Sequence, residues 1–88
     1  MKTLFPIHLN KLQIVPEFVA NVFEEILSKR LNIDKDSGRI RLQHIYFKHE
    51  SNSYDCVYRL IDDKGNMSTE YDKVSFKEFD EIYNEIYN

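Results

Sequence analysis

The sequence predicts an α+β domain with the element order helix, strand, strand, strand, helix. Three observations predict it: apolar residues recur at helical spacing after Pro16, the spacing changes to a period of two after Gly38, and helical spacing returns behind Ser75. Two glycines and two prolines in 88 residues leave little of the chain to loops. A composition of 42% hydrophobic and 31% charged residues is that of a folded chain and not of a disordered one. The length suits one domain spanning residues 1–88.

The first helix is expected over residues 16–31. Phe18, Val19, Val22, Phe23, Ile26, Leu27 and Leu31 form one face, and Glu17, Asn21, Glu24, Glu25, Ser28 and Lys29 form the other. Pro16 suits the first helical position, where its missing N–H costs nothing. Glu17 at one end and Lys29 and Arg30 at the other match the helix dipole. Asn32 can adopt the left-handed conformation that stops the helix. Asp34-Lys35-Asp36-Ser37-Gly38 reads as a turn.

A three-stranded antiparallel meander fills residues 39–73, with strands at 39–48, 54–62 and 67–73. Turns at Glu50-Ser51-Asn52-Ser53 and Asp63-Lys64-Gly65-Asn66 connect them. Uninterrupted alternation, with Tyr46 opposite Cys56 and Tyr58 opposite Tyr71, gathers Ile40, Leu42, His44, Tyr46, Tyr54, Cys56, Tyr58, Leu60, Met67, Thr69 and Tyr71 on one face. That face is expected to meet the two helices. The other face then holds Arg41, Gln43, Ile45, Phe47, Asp55, Val57, Arg59, Ile61, Ser68, Glu70 and Asp72, with Arg59 opposite Glu70.

The last helix occupies residues 75–88. Ser75-Phe76-Lys77-Glu78 fits a capping box, and Val74 with Phe79 fits the accompanying hydrophobic staple. Phe76, Phe79, Ile82, Tyr83 and Ile86 form its apolar stripe, and its end at Asn88 is expected to fray. Residues 1–15 form an N-terminal arm. Leu4, Phe5, Ile7, Leu9, Leu12 and Ile14 are too apolar for a free tail, so the arm should lie on the sheet or add an edge strand.

No chemical motif stands out. Cys56 is the sole cysteine, which excludes an internal disulfide, and although His44 is placed near it, a buried structural thiol is the expectation. A calcium loop opening at Asp34 would put Ile45 where the bidentate Glu belongs. His8, His44, His49 and Cys56 lack zinc-ligand spacing. Gly38 and Gly65 are too few and too far apart for a phosphate loop. An enzyme is therefore not expected, and neither is a metal or cofactor. The chain has no membrane span, and its first residues lack the apolar run of a signal peptide, so a cytoplasmic protein is expected. Small size and a lack of chemical motifs are shared with many phage and mobile-element proteins.

Charge divides the chain. Residues 1–49 carry +3 and residues 50–88 carry −6, for a net −3. The acidic half suggests a non-enzymatic protein-binding module, an inhibitor or adaptor that presents Asp62, Asp63, Glu70, Asp72, Glu78, Asp80, Glu81 and Glu85, with Tyr83 and Tyr87, to a basic partner such as a nucleic-acid-binding protein. The alternative is a nucleic-acid-binding face built on Arg39, Arg41, Phe47 and Arg59, since single strands stack bases on aromatic rings and lay phosphates along arginines. The element order is also that of the double-stranded RNA-binding domain. That family's Gly-Pro-His loop is missing, however, and its second-helix lysines are replaced by Lys77 beside Glu78, Asp80 and Glu81. An open sheet also leaves edges through which a homodimer can form.

Overall fold

The computed structural model describes residues 15–88. Among them the elements run α1 (Glu17–Leu31), β1 (Ile40–Lys48), β2 (Ser53–Ile61), β3 (Met67–Ser75) and α2 (Phe76–Tyr87), with short 3₁₀ turns at Lys35–Ser37 and His49–Ser51. The strands form an antiparallel sheet in the order β1-β2-β3. The element order and the α+β class agree with the sequence reading. The expected placement of the N-terminal arm, including Phe5, lies outside the described residues. No helix among the described residues is long and apolar enough to cross a membrane.

Local chemistry sets the helix ends. Pro16 stands one residue before α1 with ψ 145°, so it is the N-cap and not the first helical residue. Its carbonyl accepts from Val19 and Ala20 N–H. Asn32 closes α1 in the left-handed conformation at φ 57°, and Ile33 N–H donates to the Ser28 carbonyl at 3.0 Å. At the start of α2, Ser75 Oγ accepts from Glu78 N–H at 3.1 Å, as the capping box requires. The Glu78 carboxylate does not turn back to Ser75; it pairs with Arg30. The α2 terminus is tied by Asn88, whose N–H donates to the Asn84 carbonyl.

The strand register differs from uninterrupted alternation at two places. In β1, Leu42 faces Tyr58 and His44 faces Val57, so Gln43 is an extra residue, a β-bulge. The bulge reverses the alternation midway along the strand. Ile40 and Leu42 before it and Ile45 after it are all buried, and Phe47 packs against the same core. His44 and Tyr46 are turned outward, which corrects their placement in the core. The cause is apolar phase: without the extra residue Ile45 and Phe47 would face water. Glu24 of α1 accepts the Leu42 N–H beside the bulge at 3.0 Å, so helix and edge strand are joined there.

Between β2 and β3 the register is shifted by one residue, so that Tyr58 faces Glu70 and Arg59 faces Thr69. The Asp62–Asn66 loop determines this. Asp62 N–H donates to the Asn66 carbonyl, and the Asp62 Oδ1 accepts from Lys64 and Asn66 N–H, both at 2.8 Å. Gly65 supplies the positive φ of 85° that the loop needs. Ser68, Glu70, Asp72 and Val74 therefore share the face of Tyr54, Cys56, Tyr58 and Leu60, and Met67, Thr69, Tyr71 and Lys73 lie on the opposite face.

Both helices cover the first of these faces, where the core sits. Val19, Val22, Phe23, Ile26 and Leu27 of α1 meet Tyr54, Cys56, Val74 and Phe79 with almost no exposure. An aromatic cluster organises the interior: Tyr54 lies 4.8 Å from Phe76 and 5.4 Å from both Phe23 and Phe79, centroid to centroid. Phe47 stacks on Phe76 at 5.2 Å and 14°. Each such pair adds about 1 kcal/mol to the gain from area burial. Phe47 is thus a core residue, while Tyr46 and Tyr71 lie outside the helix-sheet interface to which the sequence assigned them.

Candidate functional site

The acidic residues of the C-terminal half do not form one array. Asp72 and Glu78 are engaged by Arg30: Nη1 lies 3.0 Å from Asp72 Oδ2, and Nη2 pairs with Glu78. Burial lowers the Arg30 pKa, but the hydrogen bond to Asp72 and the charges of Glu78 and Asp72 outweigh it and hold the guanidinium above its ordinary value. Glu85 lies 3.4 Å from Lys29 Nζ. Asp62 is committed to its turn, and the N–H donors of Asn66 and Lys64 hold its carboxyl below the usual range. Glu70 stands opposite Tyr58 on the helix-covered face. Asp63 and Glu81 remain exposed, the first at the β2–β3 turn and the second on α2. Tyr83 and Tyr87 are turned toward α1, with Tyr83 edge-on to Phe18 and the Tyr87 hydroxyl accepting from Asn21 Nδ2.

Asp80 is the exception among these carboxylates. It is buried in α2 with 8% exposure, and among the described residues its Oδ1 has no hydrogen-bond partner. Burial raises its pKa. It lines an open cleft of about 700 Å³ between α2 and the turn before β2, together with Asn52, Ser75, Glu81 and Asn84. A second open depression of about 560 Å³ follows the end of α1. Both are broad surface hollows.

Cys56 and His44 do not meet. His44 faces Val57 on the outer side of the sheet, whereas Cys56 is buried on the helix side. Burial, reinforced by the charge of Asp72, pushes the thiol up to about 12, so it carries almost no thiolate at neutral pH. The Asp34 loop is an ordinary turn in which Asp34 Oδ1 accepts from Asp36 N–H and Gly38 closes at φ 78°. Among the described residues no group of three or more His, Cys, Asp or Glu side chains is placed to hold a metal ion.

The helix-free face of the sheet has a different character. Reading across the strands, one row is Arg41, Arg59 and Thr69, the next is His44, Val57 and Tyr71, and the next is Tyr46, Asp55 and Lys73. Tyr71 is 73% exposed, Met67 61% and Tyr46 42%. Lys48 follows Tyr46 on the same side of β1, with its Nζ 3.8 Å from Asp55. Arg41 and Arg59, which the sequence placed on this face, are confirmed there. Phe47 is not on it, and Arg39 is occupied in part, since its Nε donates to the Ile61 carbonyl at 2.7 Å. Sequence reasoning missed Tyr46, Tyr71 and His44. The break of apolar phase between Leu42 and Ile45 was the signal that could have found the two on β1.

The same register moves Glu70 and Asp72 off this face, where the sequence had set them against Arg41 and Arg59. Asp55 is the carboxylate that remains among Arg41, Lys48, Arg59 and Lys73. Among the described residues, fold and surface together define a small α+β domain with one sheet face covered by helices and one that no helix covers, basic and aromatic around a buried Val57. No protein-family model, curated protein or solved structure matches the chain.

Proposed function

We propose that the protein is a non-enzymatic binding module that works through the helix-free sheet face, and that its partner is nucleic acid. The observation that carries this reading is the register, which sets exposed Tyr46 and Tyr71 among Arg41, Lys48, Arg59 and Lys73 and, among the described residues, leaves Asp55 as the carboxylate that opposes them. Aromatic rings on a sheet stack bases without regard to sequence, and flanking cations neutralise phosphates. The net charge of −3 is no obstacle, since a ligand on this face meets the local field and acidic residues such as Glu78 lie on the helix side.

Fluorescence anisotropy with mixed single-stranded oligonucleotides tests the reading. Binding that weakens as salt rises is expected, with a loss of tenfold or more in Tyr46→Ala/Tyr71→Ala, since each stacked base contributes about 1–3 kcal/mol. Absence of binding by the unaltered protein at low salt contradicts it.

An acidic docking surface is the second reading, and Asp80 is the observation that favours it. A buried carboxylate with an oxygen that has no partner among the described residues, beside exposed Glu81, suits a lysine or arginine of a partner protein. Because Asp72, Glu78 and Glu85 already have cationic partners, the sheet face is the better supported of the two.

A further inference from the structure

We infer that Arg41 and Arg59 act as a clamp on one backbone phosphate of a single strand whose adjoining base lies on Tyr71. The inference rests on the nucleic-acid reading above and adds to it the form of the ligand and its position on the sheet. Arg41 and Arg59 are directly opposite each other in the β1–β2 register, and both point away from the helices. Like charges at opposed positions destabilise a sheet. Among the described residues neither guanidinium has a carboxylate within ion-pair distance, and the polar contact of Arg59 is Met67 Sδ, 3.9 Å from Nη1. The next acidic side chain on this face is Asp55, two rows away and beside Lys48.

A phosphodiester is suited to that gap. It brings one negative charge and two non-bridging oxygens, so each guanidinium can donate to one of them. Thr69 ends the same row with a hydroxyl donor. The adjoining row, about 7 Å further along the strands, ends in Tyr71, whose 73% exposure leaves its ring free for a base. Stacking on Tyr71 requires a base outside a duplex, and this selects a single strand. A duplex can offer the phosphate and not the base.

The test is anisotropy of the full chain with a labelled ten-nucleotide oligothymidylate, and with a duplex of equal length, over a range of salt. Arg41→Gln, Arg59→Gln and the double variant are compared with the unaltered protein. If the two arginines share one phosphate, either single change loses nearly as much affinity as the double, about tenfold at low salt, and lowers the salt slope by about 0.7, the value of one phosphate on a single strand. Independent contacts would instead give additive losses and a slope change near 1.4, which overturns the clamp and leaves the interface standing. Equal affinity for the duplex overturns the choice of a single strand. No binding to either probe by the unaltered protein overturns both the clamp and the reading on which it rests. A thermal melt gives a readout that does not depend on the ligand: Arg59→Gln should raise the melting temperature at low salt, because it removes an unrelieved repulsion. A fall would show that the pair is not strained and would contradict the clamp.

Discussion

Arg30 is the residue at which three elements meet. From the last turn of α1 it reaches Asp72 and the Lys73 carbonyl on β3 and Glu78 on α2, so one guanidinium secures both the edge strand and the second helix. Its side chain and those of Asp72 and Glu78 are each about one-third exposed, which places the network between a screened surface pair and a buried one. Arg30→Ala should cost about 2 kcal/mol in urea unfolding, most of it from two carboxylates left without a cation, and Arg30→Lys should recover part of that. Equal stability of Arg30→Ala and the unaltered protein would contradict this account. Asp80 works in the opposite sense. Burial raises its pKa above the ordinary 3.8, so the folded state binds this proton more tightly than the unfolded chain does. Stability contributed by that proton is present at low pH and is lost as pH rises through the raised value. Asp80→Asn should therefore stabilise the fold at pH 7 by about 1 kcal/mol and flatten the dependence of stability on pH above 3.8, as measured by urea melts across a pH series. A loss of stability at pH 7 would contradict the view that the carboxylate is a cost.

At the scale of elements, the bulge at Gln43 decides which aromatic residues become core and which become surface. Deleting Gln43 would restore plain alternation and force either Ile40 and Leu42 or Ile45 and Phe47 into water. A loss of more than about 3 kcal/mol is expected, enough to remove a cooperative melt from a domain this small. Gln43→Ala keeps the extra residue and should melt within about 0.5 kcal/mol of the unaltered protein. A deletion variant with a native melt and near-ultraviolet spectrum would show that the bulge is not required. This element also marks the limit of what the sequence disclosed. The apolar stripe of α1, the stop at Asn32 and the Ser75 cap are local signals, and the structure contains each of them. Register is a long-range property, set by the Asp62–Asn66 loop and by packing against α1. Alternation alone misjudged it by one residue in β2–β3 and, in β1–β2, by two residues before the bulge and one after it, where Tyr46 faces Asp55 and not Cys56. The bulge exchanged Phe47 for Tyr46, and the shift between β2 and β3 moved Glu70 and Asp72 to the other face, so most of the helix-free surface could not be read in advance. The acidic cluster was visible in the sequence, but its partners Arg30 and Lys29 were distant in the chain.

At the scale of the molecule, the two helices and the interior sheet face supply stability, and among the described residues no helix covers the opposite sheet face. Its edges carry features that oppose pairing between copies of the chain. β1 is bulged, and at Lys73 of β3 the N–H donates to Asp72 Oδ1 while the carbonyl accepts from Arg30, each at 2.8 Å. Attention therefore falls on the helix-free face, where Tyr71 is 73% and Tyr46 42% exposed. The most direct test of this account is a two-dimensional amide NMR titration of the full chain with a short single-stranded oligonucleotide. The expected result is that shifts concentrate on Arg41, His44, Tyr46, Val57, Arg59 and Tyr71 and leave α2 unmoved. Shifts centred on Asp80 and Glu81, or none at low salt, would contradict it.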